Sequence, residues 1–238
     1  PSTTKGSDFF LQYANVKNRL DWSVTYLRHI EKFTFSPNPQ WYTPTGYFFP
    51  PYIKQKTQYG ELQTTYPFSK KSAVILALGL RYDKQIFLAT DTFSLRFPDT
   101  SQLWSIARVE YQLDRTTQPI QYIRKGYRAK FFIEYQYQIK EVSNGFVHLG
   151  FDVRHYQTLY KNIVWANKLC GAISGGETNG MLYVLGGTSN WLAPITDTSV
   201  HFLPKDNYSF ISYATNLRGY SQNILTGNTY LLLNSEIR

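Results

Sequence analysis

The chain has 238 residues, 17% of them aromatic, with 20 Tyr and 16 Phe but one Cys and one Met. The single Cys170 excludes a disulfide framework and any multi-cysteine metal site. The formal net charge of +9 would suit nucleic acid, but no basic run is longer than Lys70-Lys71, so we expect no nucleic-acid partner.

The composition favours a protein at a boundary between an apolar phase and water, because a tyrosine ring is apolar and its hydroxyl is polar. The longest strictly apolar run before a glycine covers residues 73–78, far short of the roughly 18 residues of a membrane helix. Any crossing of a bilayer must therefore use strands. Residues 1–7 are polar and lack the apolar core of a signal peptide, so we expect the chain to come from inside a longer protein.

Eight segments alternate apolar and polar residues with the period of two that is typical of a strand with unlike faces, and a ninth candidate strand, residues 162–173, is less regular. In chain order they cover residues 9–13, 20–26, 62–66, 74–82, 103–113, 127–138, 147–153, 162–173 and 228–238. We predict that one face meets lipid and the other points inward. The predicted lipid-facing residues include Phe131, Ile133, Tyr135, Leu149 and Phe151. The predicted inward residues include Arg128, Glu134, Asp152 and Arg154, and Phe132 shares their face.

The lengths of the connections between predicted strands distinguish two all-β folds, a soluble sandwich and a transmembrane barrel. They cover residues 16–19, 33–56, 69–72, 84–101, 114–125, 143–145, 159–161 and 174–227. Apart from the tight hairpin at Asn144-Gly145, short and long connections alternate, as in barrels with short periplasmic turns and longer extracellular loops. We therefore predict that residues 1–238 form one antiparallel transmembrane β-barrel domain. Because an odd number of strands does not close in the usual even pattern, we predict that this barrel is incomplete.

The sequence offers little support for catalysis. His148 and His155 lie seven residues apart on one predicted strand, so they point to opposite faces and cannot share a metal. His29 and His201 are isolated, and no Gly-x-Ser-x-Gly elbow surrounds a serine. We predict a protein that is not an enzyme and that has no metal site and no cofactor.

The most informative motif is Leu217-Arg218-Gly219-Tyr220, which lies in the last long connection, residues 174–227. Three other landmarks surround it in order: Asp114 to Gly126, Gly186-Gly187 and the final segment 233–238. Together they resemble the BamA/TamA superfamily of outer-membrane assembly barrels, whose sixth extracellular loop carries an Arg-Gly-Phe/Tyr signature. The chain lacks the family's proline before the turn glycine, and about thirty residues separate Gly187 from Leu217.

This resemblance implies a position in the family barrel. Its barrel has about sixteen strands, of which the nine segments would be strands four to twelve. The long insert before the signature is similar to the Bacteroidota branch (bacterial surface antigen family), in which a TolB-like propeller precedes the barrel.

The resemblance also implies that the signature loop folds into the barrel lumen. Arg218 would then need a wall carboxylate, because a guanidinium removed from bulk water requires charge-assisted hydrogen bonds. Asp152 and Glu236 are the candidate partners, since both fall on polar faces of predicted strands. The alternative is that Arg218 and Gly219 form a turn in an exposed surface loop.

The implied function is non-catalytic insertion or translocation of proteins at the bacterial outer membrane. Its expected partners are outer-membrane lipid, client outer-membrane polypeptides and periplasmic or lipoprotein accessory subunits. A passive pore or solute-transporting barrel is the alternative, in which the polar inner face would select solutes.

Overall fold

A computed structural model describes ten stretches of the chain. They are residues 8–17, 19–34, 52–88, 98–120, 123–139, 145–161, 163–176, 180–186, 210–216 and 225–237. Within these stretches the chain forms strands and no helix. The strands are β1 (Phe9–Asn15), β2 (Asp21–Thr34), β3 (Tyr52–Ser69), β4 (Ser72–Phe87), β5 (Thr100–Asp114), β6 (Thr117–Ile120), β7 (Ile123–Gln138), β8 (Gly145–Tyr160), β9 (Ile163–Gly176), β10 (Met181–Gly186), β11 (Phe210–Asn216), β12 (Leu225–Gly227) and β13 (Thr229–Ile237).

Nine of these strands form one antiparallel sheet, here called the main sheet. Its order is β1-β2-β3-β4-β5-β7-β8-β9-β13, and short β6 pairs with the start of β7. These nine strands are the nine that period-two alternation predicts, so the all-β antiparallel prediction is confirmed. Among the described residues β1 and β13 are the two edges and do not pair with each other, as expected for an incomplete barrel. In the described part of the chain, no helix has the length and apolarity needed to cross a membrane.

The structure corrects several predicted boundaries. β2 continues to Thr34, β3 already begins at Tyr52 and β4 ends only at Phe87, so two long connections are shorter than predicted. Alternation missed these ends because both faces there mix apolar and polar residues, whereas the backbone ladder continues. The predicted turn 114–125 contains β6, and the predicted loop 174–227 contains β10, β11 and β12.

The faces of the main sheet have an unusual distribution of burial. Phe131 and Ile133 on one face are each 48% exposed, whereas Gln136 on the other face is 2% exposed. The register agrees, since Phe131 pairs with Phe151 and Glu134 pairs with His148. The predicted assignment of residues to two faces is therefore confirmed. We call the apolar, exposed face the outer face and the polar, more buried face the inner face.

A second sheet of β11, β10 and β12 lies against the inner face. β10 pairs in parallel with β11 and antiparallel with β12. Met181 and Tyr183 of β10 are buried against Trp104, Phe146 and Ala172 of the main sheet. The apolar core of the described residues thus lies where β10 contacts the inner face.

Candidate functional site on the inner face

A row of polar residues crosses four neighbouring strands of the inner face. Arg108, Glu134, His148 and Ser174 occupy directly paired positions on β5, β7, β8 and β9. Glu134 accepts a hydrogen bond from the Gln136 amide, and its Oε1 lies 3.9 Å from His148 Nδ1. The row places a cation, a carboxylate and an imidazole at directly paired positions of adjacent strands.

Arg108 is only weakly engaged by its neighbours. Its Nη2 lies 3.4 Å from Glu61 Oε2, at the outer limit of a hydrogen bond. Glu61 also accepts a hydrogen bond from the Tyr59 hydroxyl. The Arg108 guanidinium therefore keeps donors that a further ligand or side chain could use.

Other inner-face charges are paired locally. Arg81 Nε donates to Asp83 Oδ2 at 2.8 Å with both side chains almost fully buried. Lys130 Nζ lies 2.8 Å from Glu110 Oε2. Because buried charges are costly unless they are paired, these contacts explain how a charged face tolerates burial.

A cavity of about 320 Å³ opens over this row. Its lining includes Arg108, Glu134, Gln136, His148 and Met181. Arg108 Nε, Gln136 Oε1 and both ring nitrogens of His148 are buried without a hydrogen-bond partner. Buried polar atoms are normally satisfied, so this part of the cavity suits a polar occupant.

β10 is held to the inner face by hydrogen bonds and ring contacts. The backbone N–H of Met181 donates to Ser174 Oγ at 2.8 Å. The Tyr183 ring packs edge-on against Tyr230, with centroids 4.9 Å apart, and lies 5.5 Å from the His148 ring. Gly180, which precedes β10, has a φ of +65° and lies so close to Ser174 that a side chain would collide with it. This glycine permits the reversal that brings β10 inward.

The row does not form a nucleophile and base pair in this arrangement. Ser174 Oγ accepts from the Met181 N–H, and neither ring nitrogen of His148 has a hydrogen-bond partner. In the stretches that are described, no group of three His, Cys, Asp or Glu side chains could hold a metal ion.

The two predicted partners of Arg218 both fall on the inner face. Asp152 accepts two hydrogen bonds from Arg154, at 2.8 and 2.9 Å, and lies 3.8 Å from Lys168 Nζ. Glu236 pairs with Ala166 at the far end of β13. Asp152 is therefore already engaged by two cations.

The signature itself, Leu217, Arg218, Gly219 and Tyr220, lies outside the described residues. It follows β11 and precedes β12 in the chain, and both strands are partners of β10. The predicted contact between Arg218 and a wall acid stays a prediction.

Sequence reasoning missed the residues that anchor β10. Met181 and Tyr183 belong to a strand too short for alternation to reveal. A usable signal was present in the main sheet, where Trp104 and Phe146 occupy inward positions of their strands. Large aromatic residues on a polar face indicate that something apolar covers them.

No family model, no curated protein and no solved structure matches the chain. The resemblance to the BamA/TamA superfamily therefore rests on the motifs of this sequence and on their order.

Proposed function

We propose that the chain is part of a bacterial outer-membrane β-barrel of the BamA/TamA type, which assists the insertion or translocation of proteins without catalysis. The observation that carries the membrane setting is the distribution of burial between the two faces. The exposed outer residues include Leu76, Leu78 and Leu80 on one strand, at 51%, 63% and 55%. A soluble protein buries such a face, whereas a transmembrane strand presents it to lipid.

Aromatic residues at both ends of the outer apolar band support this setting. Tyr26 is 36% exposed, and its hydroxyl donates to Gln58 at 3.3 Å, so the ring lies beside apolar residues and its tip beside polar ones. At the opposite end, Arg19 lies 5.0 Å over Tyr66 and Arg115 lies 5.7 Å over Tyr127. Barrels carry such aromatic girdles at their two lipid–water interfaces.

The assembly role is supported by what lies on the inner face. A polar lumen wall is covered in part by a small sheet, and the signature residues 217–220 fall between two strands of that sheet in the chain. A simple pore has no need of an ordered sheet across its wall. In our proposal this sheet carries the signature loop and fixes the barrel shape, while the client polypeptide pairs with a strand edge by β-augmentation.

The membrane setting is tested by adding the complete barrel that includes this chain to phosphatidylcholine vesicles and measuring protease protection and emission from outer-face tryptophans such as Trp22 and Trp165. Insertion should shift the emission to shorter wavelength and protect the strands. A barrel that stays in the aqueous phase and is fully digested would exclude the membrane setting.

The assembly role needs a second assay, in which the chain accelerates the folding of an unrelated outer-membrane protein into the same vesicles. An inserted chain that conducts small solutes but does not accelerate client folding would favour the alternative, a passive pore. The cavity of about 320 Å³ with its unsatisfied polar atoms is the feature that favours this second function.

A further inference from the structure

The outer face ends in a cluster of cations on three adjacent strands, which we call the basic patch. It consists of Arg28, Lys54, Lys56 and Lys84. Arg28 follows Tyr26 by two positions on β2, and Lys84 follows Tyr82 by two positions on β4. Because side chains of a strand alternate between faces, the patch continues the outer apolar band beyond its tyrosines.

Register brings two cations of the patch directly opposite each other, since Lys56 on β3 is the direct partner of Lys84 on β4. Like charges directly opposite each other on neighbouring strands destabilise a sheet. The free chain therefore carries a repulsion that an anionic ligand would relieve.

Few acidic groups offset this charge. Lys84 Nζ forms an ion pair with Asp99 Oδ2 at 2.9 Å. Within the stretches that the structure describes, Arg28, Lys54 and Lys56 take part in no ion pair. Asp8, which lies nearby, is occupied by His29 at 3.1 Å and by the backbone N–H of Ile30. The patch therefore keeps a net positive charge on the outer face.

We propose that the basic patch binds the head group of a lipid that carries two or more phosphates, in the leaflet on the side of the long connections. The sequence of apolar band, tyrosine and cation along β2 and β4 matches the order of acyl chain, interface and head group in a bilayer. Cations two residues apart on one strand are separated by roughly 7 Å. At this spacing the cations of the patch suit one multiply charged group better than a single phosphate. This inference rests on the proposed membrane setting.

The test compares vesicles of phosphatidylcholine alone, with phosphatidylglycerol, or with a diphosphorylated glucosamine lipid (lipid A). The variant is Lys54→Gln with Lys56→Gln. The matched control is Lys70→Gln with Lys71→Gln, which removes the same charge at the other end of the β3–β4 hairpin. Binding of the diphosphorylated lipid should be about thirtyfold weaker in the variant and unchanged in the control, because the variant loses two cations and each cation near an anionic surface contributes about 1 kcal/mol.

A second readout separates a binding role from a structural one. In phosphatidylcholine alone the variant should be at least as stable as the wild type, because the repulsion between opposed lysines is gone. Lys54→Arg with Lys56→Arg should retain binding.

Four outcomes would overturn the inference. Equal losses of lipid binding in the variant and the control would mean that the lysines attract the anionic membrane in general and form no specific site. Equal binding of phosphatidylglycerol would exclude the multiply phosphorylated head group. Insertion with no response to lipid charge would remove the site but leave the membrane setting, whereas failure to insert into any vesicle would overturn both.

Discussion

The ring of Phe132 covers the backbone of Gly150, its direct partner on the neighbouring strand. A Cβ added at Gly150 would lie 2.7 Å from Phe132 Cε1 and 3.1 Å from the Ala172 Cβ. The same ring packs edge-on against His148, with centroids 4.8 Å apart. This contact explains why an aromatic residue shares the polar face of β7, since the glycine leaves the space that the ring fills.

Gly150→Ala should therefore displace Phe132 and destabilise the fold by about 1–3 kcal/mol, the usual cost of overpacking. The measurement is the free energy of unfolding from denaturant titration in one fixed detergent. Gly175→Ala is the matched control, because a Cβ there meets nothing within 4 Å, and it should change stability by less than about 0.5 kcal/mol. Equal effects of the two substitutions would contradict the close contact.

Phe131→Arg tests the lipid-facing assignment. Phe131 lies on the outer face near the middle of β7, so an arginine there should cost about 2–4 kcal/mol in a bilayer. Phe131→Leu, which keeps the site apolar, is the control. If Phe131→Arg is tolerated as well as Phe131→Leu in vesicles, the outer face does not meet lipid.

Substitutions of Tyr183 test which contacts hold β10 against the inner face. Its ring packs against Tyr230, but its hydroxyl is buried without a hydrogen-bond partner, so Tyr183→Phe should be neutral or stabilise by up to about 1 kcal/mol. Tyr183→Ala should instead release β10 and cost about 3–5 kcal/mol. Limited proteolysis of the 177–228 connection is the readout, and it should accelerate only in Tyr183→Ala. Faster cleavage in Tyr183→Phe would show that the hydroxyl has a partner.

Substitutions of Arg218 test the proposal that the signature loop folds into the barrel lumen. Arg218→Ala should speed proteolysis of its loop from outside and reduce client folding more than it reduces barrel folding, because the ladder of the main sheet is untouched. Arg218→Lys should rescue poorly, since an ammonium lacks the planar guanidinium fork.

The two candidate partners can be distinguished from each other. If Glu236 is the partner of Arg218, Glu236→Gln should reproduce Arg218→Ala, and the double variant should add little. Asp152→Asn should mainly release Arg154 and Lys168, which it already binds. Additive effects of Arg218→Ala with both acid substitutions would place the partner elsewhere.

The sequence by itself determined the strands of the main sheet and the faces of their residues. Alternation with period two is a local property of the backbone, so Phe131 and Glu134 fall on opposite faces wherever the strand is placed. Alternation failed where the contrast between faces ends. Beyond Tyr26 and Tyr82 both faces mix apolar and polar residues, and only pairing with a neighbour continued β2, β3 and β4.

The tertiary structure alone decided what covers the inner face. The contacts of Met181 and Tyr183 with Trp104 and Phe146 join residues far apart in sequence, and no local pattern encodes them. It also decided that Asp152 is occupied by Arg154 and Lys168, because a side chain's partner depends on which strands become neighbours and in which register. Local periodicity determines which face of the sheet a residue occupies, whereas the pairing between strands determines which residues meet to form a site.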